Sequence, residues 1–168
     1  MVYLLKRDKK TIKNKGDDIV KIIKGDILKS DADIICHQVN CMGVMGSGLA
    51  KQIRSQYPEV YTHYKQLCNS KLPKDLLGNT QIVEAHNGGY FANVFGQLKY
   101  GTDKQHTDYN ALKNGLEIVA KRAKQYNESV AIPYGIGCGL GGGDWEFVNE
   151  FIKELFEGCD VKLYKFSG

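Results

Sequence analysis

Two glycine-dense segments constrain this chain more than any other feature, because each lies between an apolar run and a helical pattern. The first glycine loop covers residues 43–48 and follows the apolar run 32–39, and the second covers residues 135–143 and follows 130–133. Glycine has no Cβ atom, so its backbone can approach a ligand closely and turn N–H groups toward it. The helix that follows each loop adds a free N-terminus, which favours anions. Two such loops predict a clamp on a phosphorylated ligand, such as a nucleotide with a diphosphate.

The rest of the chain alternates helical patterns with mostly apolar strands. Strands are predicted at residues 3–5, 19–23, 31–40, 81–85, 90–95, 129–133 and 161–166, and helices at 50–55, 59–67, 109–125 and 145–156. The turn Asn87-Gly88-Gly89 predicts a hairpin between the strands on either side of it. This order predicts the α/β class, as a three-layer α/β/α fold with a mixed central sheet. Ligands of such sheets bind at the carboxyl ends of the strands, where both glycine loops fall.

Length and composition narrow the class of protein. With 168 residues and a net charge of +4, we expect one domain over residues 1–168 and only a modest attraction to nucleic acid. Neither a signal peptide nor an apolar stretch of membrane-spanning length is visible, so no membrane partner is expected. The five cysteines are odd in number and lack CxxC spacing, which favours reduced thiols, a cytoplasmic location and no metal. We expect a monomer that needs no cofactor.

Several polar residues near strand ends have both a structural and a functional interpretation. Gly25-Asp26-Ile27 can be a turn with an aspartate cap, or Asp26 can accept a hydrogen bond from an exocyclic amine such as that of adenine. In the most apolar strand, His37 or its neighbour Gln38 can bond to a backbone group or face the rim of a site. Asn40 directly precedes the first glycine loop, where its amide can position a ribose hydroxyl or a water molecule.

Two charged residues near the predicted site also have a structural and a functional interpretation. Asp144 is placed to cap the helix that starts at Trp145, and a catalytic role is the alternative. Lys99 follows the predicted strand 90–95, where a lone lysine is usually a solvated charge. The second glycine loop matches neither the dinucleotide fingerprint nor the P-loop, because no Lys-Ser or Lys-Thr pair follows it.

Taken together and in order, these motifs resemble the macro domain family, whose members bind ADP-ribose. The resemblance spans residues 24–166 and rests on Gly25-Asp26-Ile27, on the run Asn40-Cys41-Met42-Gly43-Val44-Met45-Gly46-Ser47-Gly48-Leu49-Ala50, and on Pro133-Tyr134-Gly135-Ile136-Gly137-Cys138-Gly139-Leu140. The first glycine loop followed by Tyr57-Pro58 resembles one branch of the family. That branch contains terminal ADP-ribose glycohydrolases, DNA-ADP-ribose-removing antitoxins and yeast-type ADP-ribose-1″-phosphate phosphatases.

The resemblance implies a mixed sheet of about six strands between helices and assigns the binding residues. Asp26 would hold the adenine amine with Ile27 beside it, Asn40 and the first glycine loop would surround the distal ribose, and residues 137–140 would wrap the diphosphate. The ligand-binding residues predicted in this way are Gly25, Asp26, Ile27, Asn40, Gly43, Val44, Met45, Gly46, Ser47, Gly48, Ile136, Gly137, Cys138, Gly139 and Leu140.

The catalytic residues follow the family pattern only in part. Glycohydrolase members use a lysine after the strand that matches 90–95, where this chain has residues 95–97 and then Lys99, and some use an aspartate where this chain has Gly141. Phosphatase members carry a histidine in the strand before the asparagine, and His37 falls there. A near-neutral pKa would let His37 protonate a leaving oxygen or orient an attacking water. The predicted catalytic residues are His37, Asn40, Lys99 and Asp144.

The predicted function is therefore a metal-independent hydrolase that binds ADP-ribose and acts on an ADP-ribose derivative at its distal ribose. The substrate would be ADP-ribose-1″-phosphate or an ADP-ribosyl linkage on protein or nucleic acid. The alternative is a non-catalytic reader of ADP-ribose, which needs the clamp but not the missing lysine and aspartate. A basic RNA-binding domain is a weaker third interpretation.

Overall fold

The computed structural model describes residues 20–166, which form one six-stranded sheet with helices on both faces. The strands are β1 (Lys21–Lys24), β2 (Ile34–Asn40), β3 (Thr80–Glu84), β4 (Tyr90–Gln97), β5 (Val130–Pro133) and β6 (Val161–Lys165). The helices are α1 (Gly48–Gln56), α2 (Pro58–Ser70), α3 (Pro73–Leu76), α4 (Tyr109–Tyr126) and α5 (Trp145–Leu155), and a 3-10 turn covers Ile27–Lys29. The sequence did not predict α3 or the 3-10 turn. The strand predicted at residues 3–5 lies outside the described residues.

The sheet is mixed, as predicted. Its strand order is β1-β6-β5-β2-β4-β3, in which β3 pairs antiparallel with β4 and the other neighbours pair in parallel. The antiparallel pair is the hairpin expected from its glycine turn, which is closed by a hydrogen bond from the Ala85 N–H to the Gly89 carbonyl oxygen. The mixed sheet therefore consists of a parallel body with one reversed edge strand.

Alternating side chains of β2 divide the core into the two interfaces of a three-layer fold. Ile34 and Cys36 pack in a cluster with side chains of α4 and α5 on one face. Ile35 lies on the opposite face, in a cluster with Ile53 of α1 and Val60 of α2. Because successive side chains of a strand point to opposite faces, an apolar strand of this kind can be buried on both sides. The predicted α/β/α layering is confirmed.

The parallel body brings three strand ends to one edge of the sheet. β2, β4 and β5 are neighbours in the order β5-β2-β4, so their carboxyl-terminal residues Pro133, Asn40 and Gln97 lie side by side. The chain leaves β2 toward α1 on one face and, after the second glycine loop, leaves β5 toward α5 on the other face. Ligands of α/β sheets bind where connections diverge in this way. Among the described residues, no helix combines the length and the apolar character needed to cross a membrane.

Candidate functional site

A cavity of about 610 Å³ lies at this edge of the sheet, between the two glycine loops. Its lining comes from the ends of β2, β4 and β5 and from the segments that follow them: residues 37–40, 44, 46–50, 97, 100–102, 133, 136–137 and 139–141. This volume is within the range of pockets that hold cofactor-sized ligands. The sequence prediction that both glycine loops face one ligand site therefore agrees with their placement.

The side chain of Asn40 holds the first glycine loop in shape. Its Oδ1 accepts hydrogen bonds from the Met42 N–H at 3.0 Å and from the Tyr64 hydroxyl at 2.9 Å, and its Nδ2 donates to the Val44 carbonyl oxygen at 2.8 Å. A further, longer bond joins the Val44 N–H to Oδ1 at 3.4 Å. The oxygen of Asn40 is thus occupied by the protein, and its predicted role toward a ribose or a water rests on the second N–H of its amide.

The N-terminus of α1 is open toward the cavity. Ser47 is the N-cap residue, but its hydroxyl makes no capping hydrogen bond, and the N–H groups of Leu49 and Ala50 have no partner within residues 20–166. Unpaired N–H groups at a helix start carry partial positive charge and bind anions or other acceptors. The helix start that follows the first glycine loop therefore places free hydrogen-bond donors at the cavity.

The second glycine loop is folded by internal hydrogen bonds that leave its outer donors free. The Gly143 N–H donates to the Gly137 carbonyl oxygen at 2.9 Å, and Gly137 has a φ of 74°, a backbone conformation that favours glycine. By contrast, the N–H groups of Gly139, Leu140 and Gly141 donate to no acceptor among the described residues. A Cβ atom built at Gly139 meets nothing within 4 Å. This part of the loop offers donors and open space, as a phosphate site requires.

The side chains of Gln38 and Thr107 hold the second glycine loop through a network of hydrogen bonds. Gln38 Nε2 donates to Gln97 Oε1 at 2.6 Å and to Thr107 Oγ1 at 2.9 Å, and Thr107 Oγ1 donates to the Gly137 carbonyl oxygen at 2.7 Å. A Cβ atom at Gly141 would collide with Thr107 Oγ1 and would lie 2.8 Å from the Gly137 oxygen. Position 141, where some glycohydrolases have an aspartate, is therefore closed to any side chain.

His37 is buried in the cavity lining, and only one of its two ring nitrogens has a hydrogen-bond partner within residues 20–166. Its Nε2 lies 2.5 Å from Asn93 Oδ1, and its Nδ1 has no hydrogen-bond partner among the described residues. Burial lowers the pKa of His37 to about 4, although the hydrogen bond to Asn93 acts in the opposite direction. The near-neutral pKa expected from the sequence is corrected on this point, since a buried imidazole loses the hydration that stabilises its charged form.

Several predicted site residues lie outside the cavity lining. Lys99 is exposed, and its carbonyl oxygen accepts a hydrogen bond from Gln97 Nε2 at 2.8 Å. Asp144 is exposed and caps α5, with its Oδ1 accepting from the Glu146 N–H at 3.0 Å. The carboxylate of Asp26 caps the 3-10 turn through the Leu28 N–H at 2.9 Å. The structural interpretation of each residue is thus present, and their ligand or catalytic roles stay predictions. Gly25, Ile27, Gly43, Met45 and Cys138 also do not line the cavity.

The cavity lining also contains residues outside the predicted set of site residues. Gln38, Gln97, Gly141 and the segment 100–102 belong to it. Gln38 and Gly141 carried a signal in the sequence, Gln38 as a polar residue near the end of the most apolar strand and Gly141 as part of the second glycine loop. Gln97 ends the stretch 95–97, which the family resemblance matched to the lysine position. Among the lining residues that the structure describes, none is Asp, Glu, Lys or Arg. Within residues 20–166, no three His, Cys, Asp or Glu side chains form a group that could hold a metal ion.

Comparison with known proteins agrees with this fold. The family model of the Macro domain matches residues 36–152, which contain both glycine loops. The chain belongs to this family. The matched residues of this macro domain include two of the three motifs that carry the resemblance, 40–50 and 133–140.

Curated relatives come from the branch that the sequence resembled. The chain is 31% identical over 150 residues to a DNA ADP-ribosyl glycohydrolase of Mycobacterium bovis, an alignment that covers 86% of this chain and 41% of the relative. It is 26% identical to the ADP-ribose 1″-phosphate phosphatase of Scheffersomyces stipitis, covering 81% of this chain and 94% of that protein. The macro domain thus spans about two fifths of the length of the glycohydrolase relative and nearly all of the phosphatase.

Solved structures support the fold independently. The macrodomain of Mycobacterium tuberculosis DarG superposes with a TM-score of 0.75 at 27% identity, covering 89% of this chain and 98% of that one. The prediction of the family and of its fold from sequence is confirmed.

Proposed function

We propose that this macro domain binds ADP-ribose in the cavity and hydrolyses an ADP-ribose derivative at the distal ribose. The observation that carries the proposal is the concentration of free backbone donors around the cavity. The N–H groups of Leu49 and Ala50 at the start of α1 have no acceptor among the described residues, and neither do those of residues 139–141 in the second glycine loop. A diphosphate offers only acceptors, so it matches these donors. His37 also lines the cavity, with no partner for its Nδ1 among the described residues, and a hydroxyl of a distal ribose can donate to such an atom.

The substrate class follows from the two kinds of relative. One is named as a DNA ADP-ribosyl glycohydrolase and the other as an ADP-ribose 1″-phosphate phosphatase. In either case hydrolysis adds one water across the bond between the distal ribose and its substituent, which leaves with a proton. ADP-ribosylated nucleic acid or protein and ADP-ribose-1″-phosphate are therefore the candidate substrates. Backbone N–H groups of the loops would stabilise the charge that develops, because no charged side chain lines the described cavity.

The same absence of charged lining residues favours a second candidate, a non-catalytic reader. A reader needs the donors and acceptors that hold ADP-ribose, and it needs no lysine or carboxylate at the reacting carbon. Lys99 and Asp144, the residues nearest to the family's catalytic positions, do not line the cavity. Turnover, and not binding, separates the two candidates.

Calorimetry and product analysis test the proposal. ADP-ribose should bind at least about tenfold more tightly than ADP, since only ADP-ribose has a distal ribose that can donate a hydrogen bond to His37 Nδ1. Equal affinities for ADP-ribose, ADP and AMP would contradict the binding half. Turnover is then measured with ADP-ribose-1″-phosphate, an ADP-ribosylated oligonucleotide and an ADP-ribosylated protein. Release of ADP-ribose from at least one supports the hydrolase, while tight binding with no release selects the reader.

A further inference from the structure

A row of hydrogen-bonded polar side chains crosses three strands, starting at His37 in the cavity lining. In β4, Asn93 stands in register with His37 of β2 on one side and with Gln81 of β3 on the other. His37 Nε2 lies 2.5 Å from Asn93 Oδ1, and Asn93 Nδ2 donates to Gln81 Oε1 at 3.0 Å. Gln81 Nε2 in turn donates to the backbone carbonyl oxygen of His63 in α2 at 3.1 Å. Each side chain in this row is thus hydrogen-bonded to the next.

The His63 carbonyl oxygen, at the end of this row, fixes the donor and the acceptor of every hydrogen bond in it. An amide side chain can turn over with little change in shape, but a backbone carbonyl can only accept a hydrogen bond. Gln81 must therefore point its NH₂ group at His63 and its oxygen at Asn93. Asn93 must then point its NH₂ group at Gln81 and its oxygen at His37. It follows that the proton of the His37 ring is on Nε2 and that Nδ1 carries a lone pair.

The Nδ1 lone pair belongs to a residue that lines the cavity. His37 lines the cavity, is 2% exposed, and has no partner for Nδ1 among residues 20–166. A buried acceptor without a donor is unfavourable in a folded protein. A ligand hydroxyl or a water in the cavity would satisfy it.

We propose that Asn93 and Gln81 are positioning residues that hold His37 in the Nε2–H tautomer, so that its Nδ1 accepts a hydrogen bond from the distal ribose or from the attacking water. His37 is then an acceptor and an orienting group, not the donor of a proton to the leaving oxygen. The nature of the ligand rests on the proposed function, but the tautomer rests on the geometry of β2, β3, β4 and the His63 carbonyl of α2.

Nitrogen NMR of the histidine rings tests the tautomer directly. Two-bond ¹H–¹⁵N spectra of ¹⁵N-labelled protein at pH 7 should show His37 with Nε2 protonated and Nδ1 bare, and the His37→Gln variant identifies its signals. Adding ADP-ribose should shift the Nδ1 resonance, while ADP, which lacks the distal ribose, should leave it in place. A protonated Nδ1 in the free protein, or equal shifts with both ligands, would overturn the proposal.

Two variants of Gln81 test the positioning role, and its place on the half-exposed edge strand β3 favours retention of the fold. Gln81→Glu keeps an acceptor toward Asn93 and should retain the Nε2–H tautomer. Gln81→Leu removes the acceptor that fixes the Asn93 amide, so Asn93 can turn its NH₂ group toward His37 and the Nδ1–H tautomer should become populated. Circular dichroism confirms that both variants are folded. The same tautomer in both would exclude Gln81 as a positioning residue.

Turnover gives a second readout with its own outcomes. For the substrate that the wild type hydrolyses, kcat of Gln81→Leu should fall by at least about tenfold, with KM changed less than about threefold, and Gln81→Glu should restore kcat. Equal kcat in the two variants contradicts the proposal. If the wild type hydrolyses nothing, the catalytic half of the proposed function fails, while the tautomer and the ADP-ribose shift still decide this inference.

Discussion

The Thr107→Val variant tests whether the buried network sets the shape of the second glycine loop. Valine has nearly the volume of threonine, so the change removes the hydroxyl without opening a cavity. Two hydrogen bonds are lost, from Gln38 Nε2 at 2.9 Å and to the Gly137 carbonyl oxygen at 2.7 Å. At about 1 kcal/mol each, the free energy of unfolding should fall by about 2 kcal/mol.

The cost should not be larger, because neither former partner is left without a bond. The Gly137 oxygen still accepts from the Gly143 N–H, and Gln38 Nε2 still donates to Gln97 Oε1. For a domain of this size, about 2 kcal/mol corresponds to a fall in Tm of about 4–8 °C. ADP-ribose affinity should fall about fivefold, or about 1 kcal/mol, since the freed loop must be ordered again on binding.

A matched control separates a general loss of stability from a local loss of loop order. Thr80 Oγ1 donates one hydrogen bond to the Gly115 carbonyl oxygen at 2.7 Å, away from the cavity lining. Thr80→Val should cost about 1 kcal/mol and leave ADP-ribose affinity unchanged. Urea unfolding and calorimetry measure both quantities. If Thr107→Val were no less stable than Thr80→Val, or bound ADP-ribose as the wild type does, the network would not be what holds the loop.

Three further predictions address single residues. Gly139→Val should lower ADP-ribose affinity by about a hundredfold or more while changing the free energy of unfolding by less than about 0.5 kcal/mol, since its side chain enters open cavity space; calorimetry and urea unfolding check this. Asp144→Ala should cost about 1 kcal/mol as a lost helix cap, with turnover unchanged, and a loss of turnover would restore its predicted catalytic role. Because the pKa of His37 falls from 6.5 to about 4 on folding, the unfolded state binds the extra proton, so stability should decrease by about 3 kcal/mol from pH 6.5 to pH 4. Urea unfolding against pH should lose this component in His37→Gln and keep it in His63→Gln, where an exposed histidine is removed.

The sequence predicted the elements whose signals are local. The hairpin at Asn87-Gly88-Gly89 and the helix that follows Asp144 were each identified from a few adjacent residues, and each is present. Apolar runs of strand length likewise located β2 and β5. In these cases turn chemistry, capping and periodicity act within one element, so no knowledge of tertiary contacts was needed.

What the sequence could not predict depends on side chains that meet across elements. The contact of Gln38 with Gln97 and Thr107 joins residues 59 and 69 positions apart, and nothing local to any of them indicates it. The pKa of His37 was expected to be near neutral because a sequence does not show how completely a ring is buried. Likewise, Gly137 and Gly139 look equivalent in the sequence, yet a Cβ atom would meet side chains at the first and open space at the second.

The placement of the two glycine loops on adjacent strands has a kinetic consequence. β2 and β5 are hydrogen-bonded neighbours, so the two loops follow strands that lie about 4.8 Å apart in one sheet. Many nucleotide sites are instead assembled when a lid or a second domain closes over the ligand. Here the two halves of the site belong to one rigid sheet, so capture of ADP-ribose should occur in a single phase whose rate rises linearly with ligand concentration. A rate that reached a plateau in stopped-flow measurements would reveal a rearrangement that this architecture does not require.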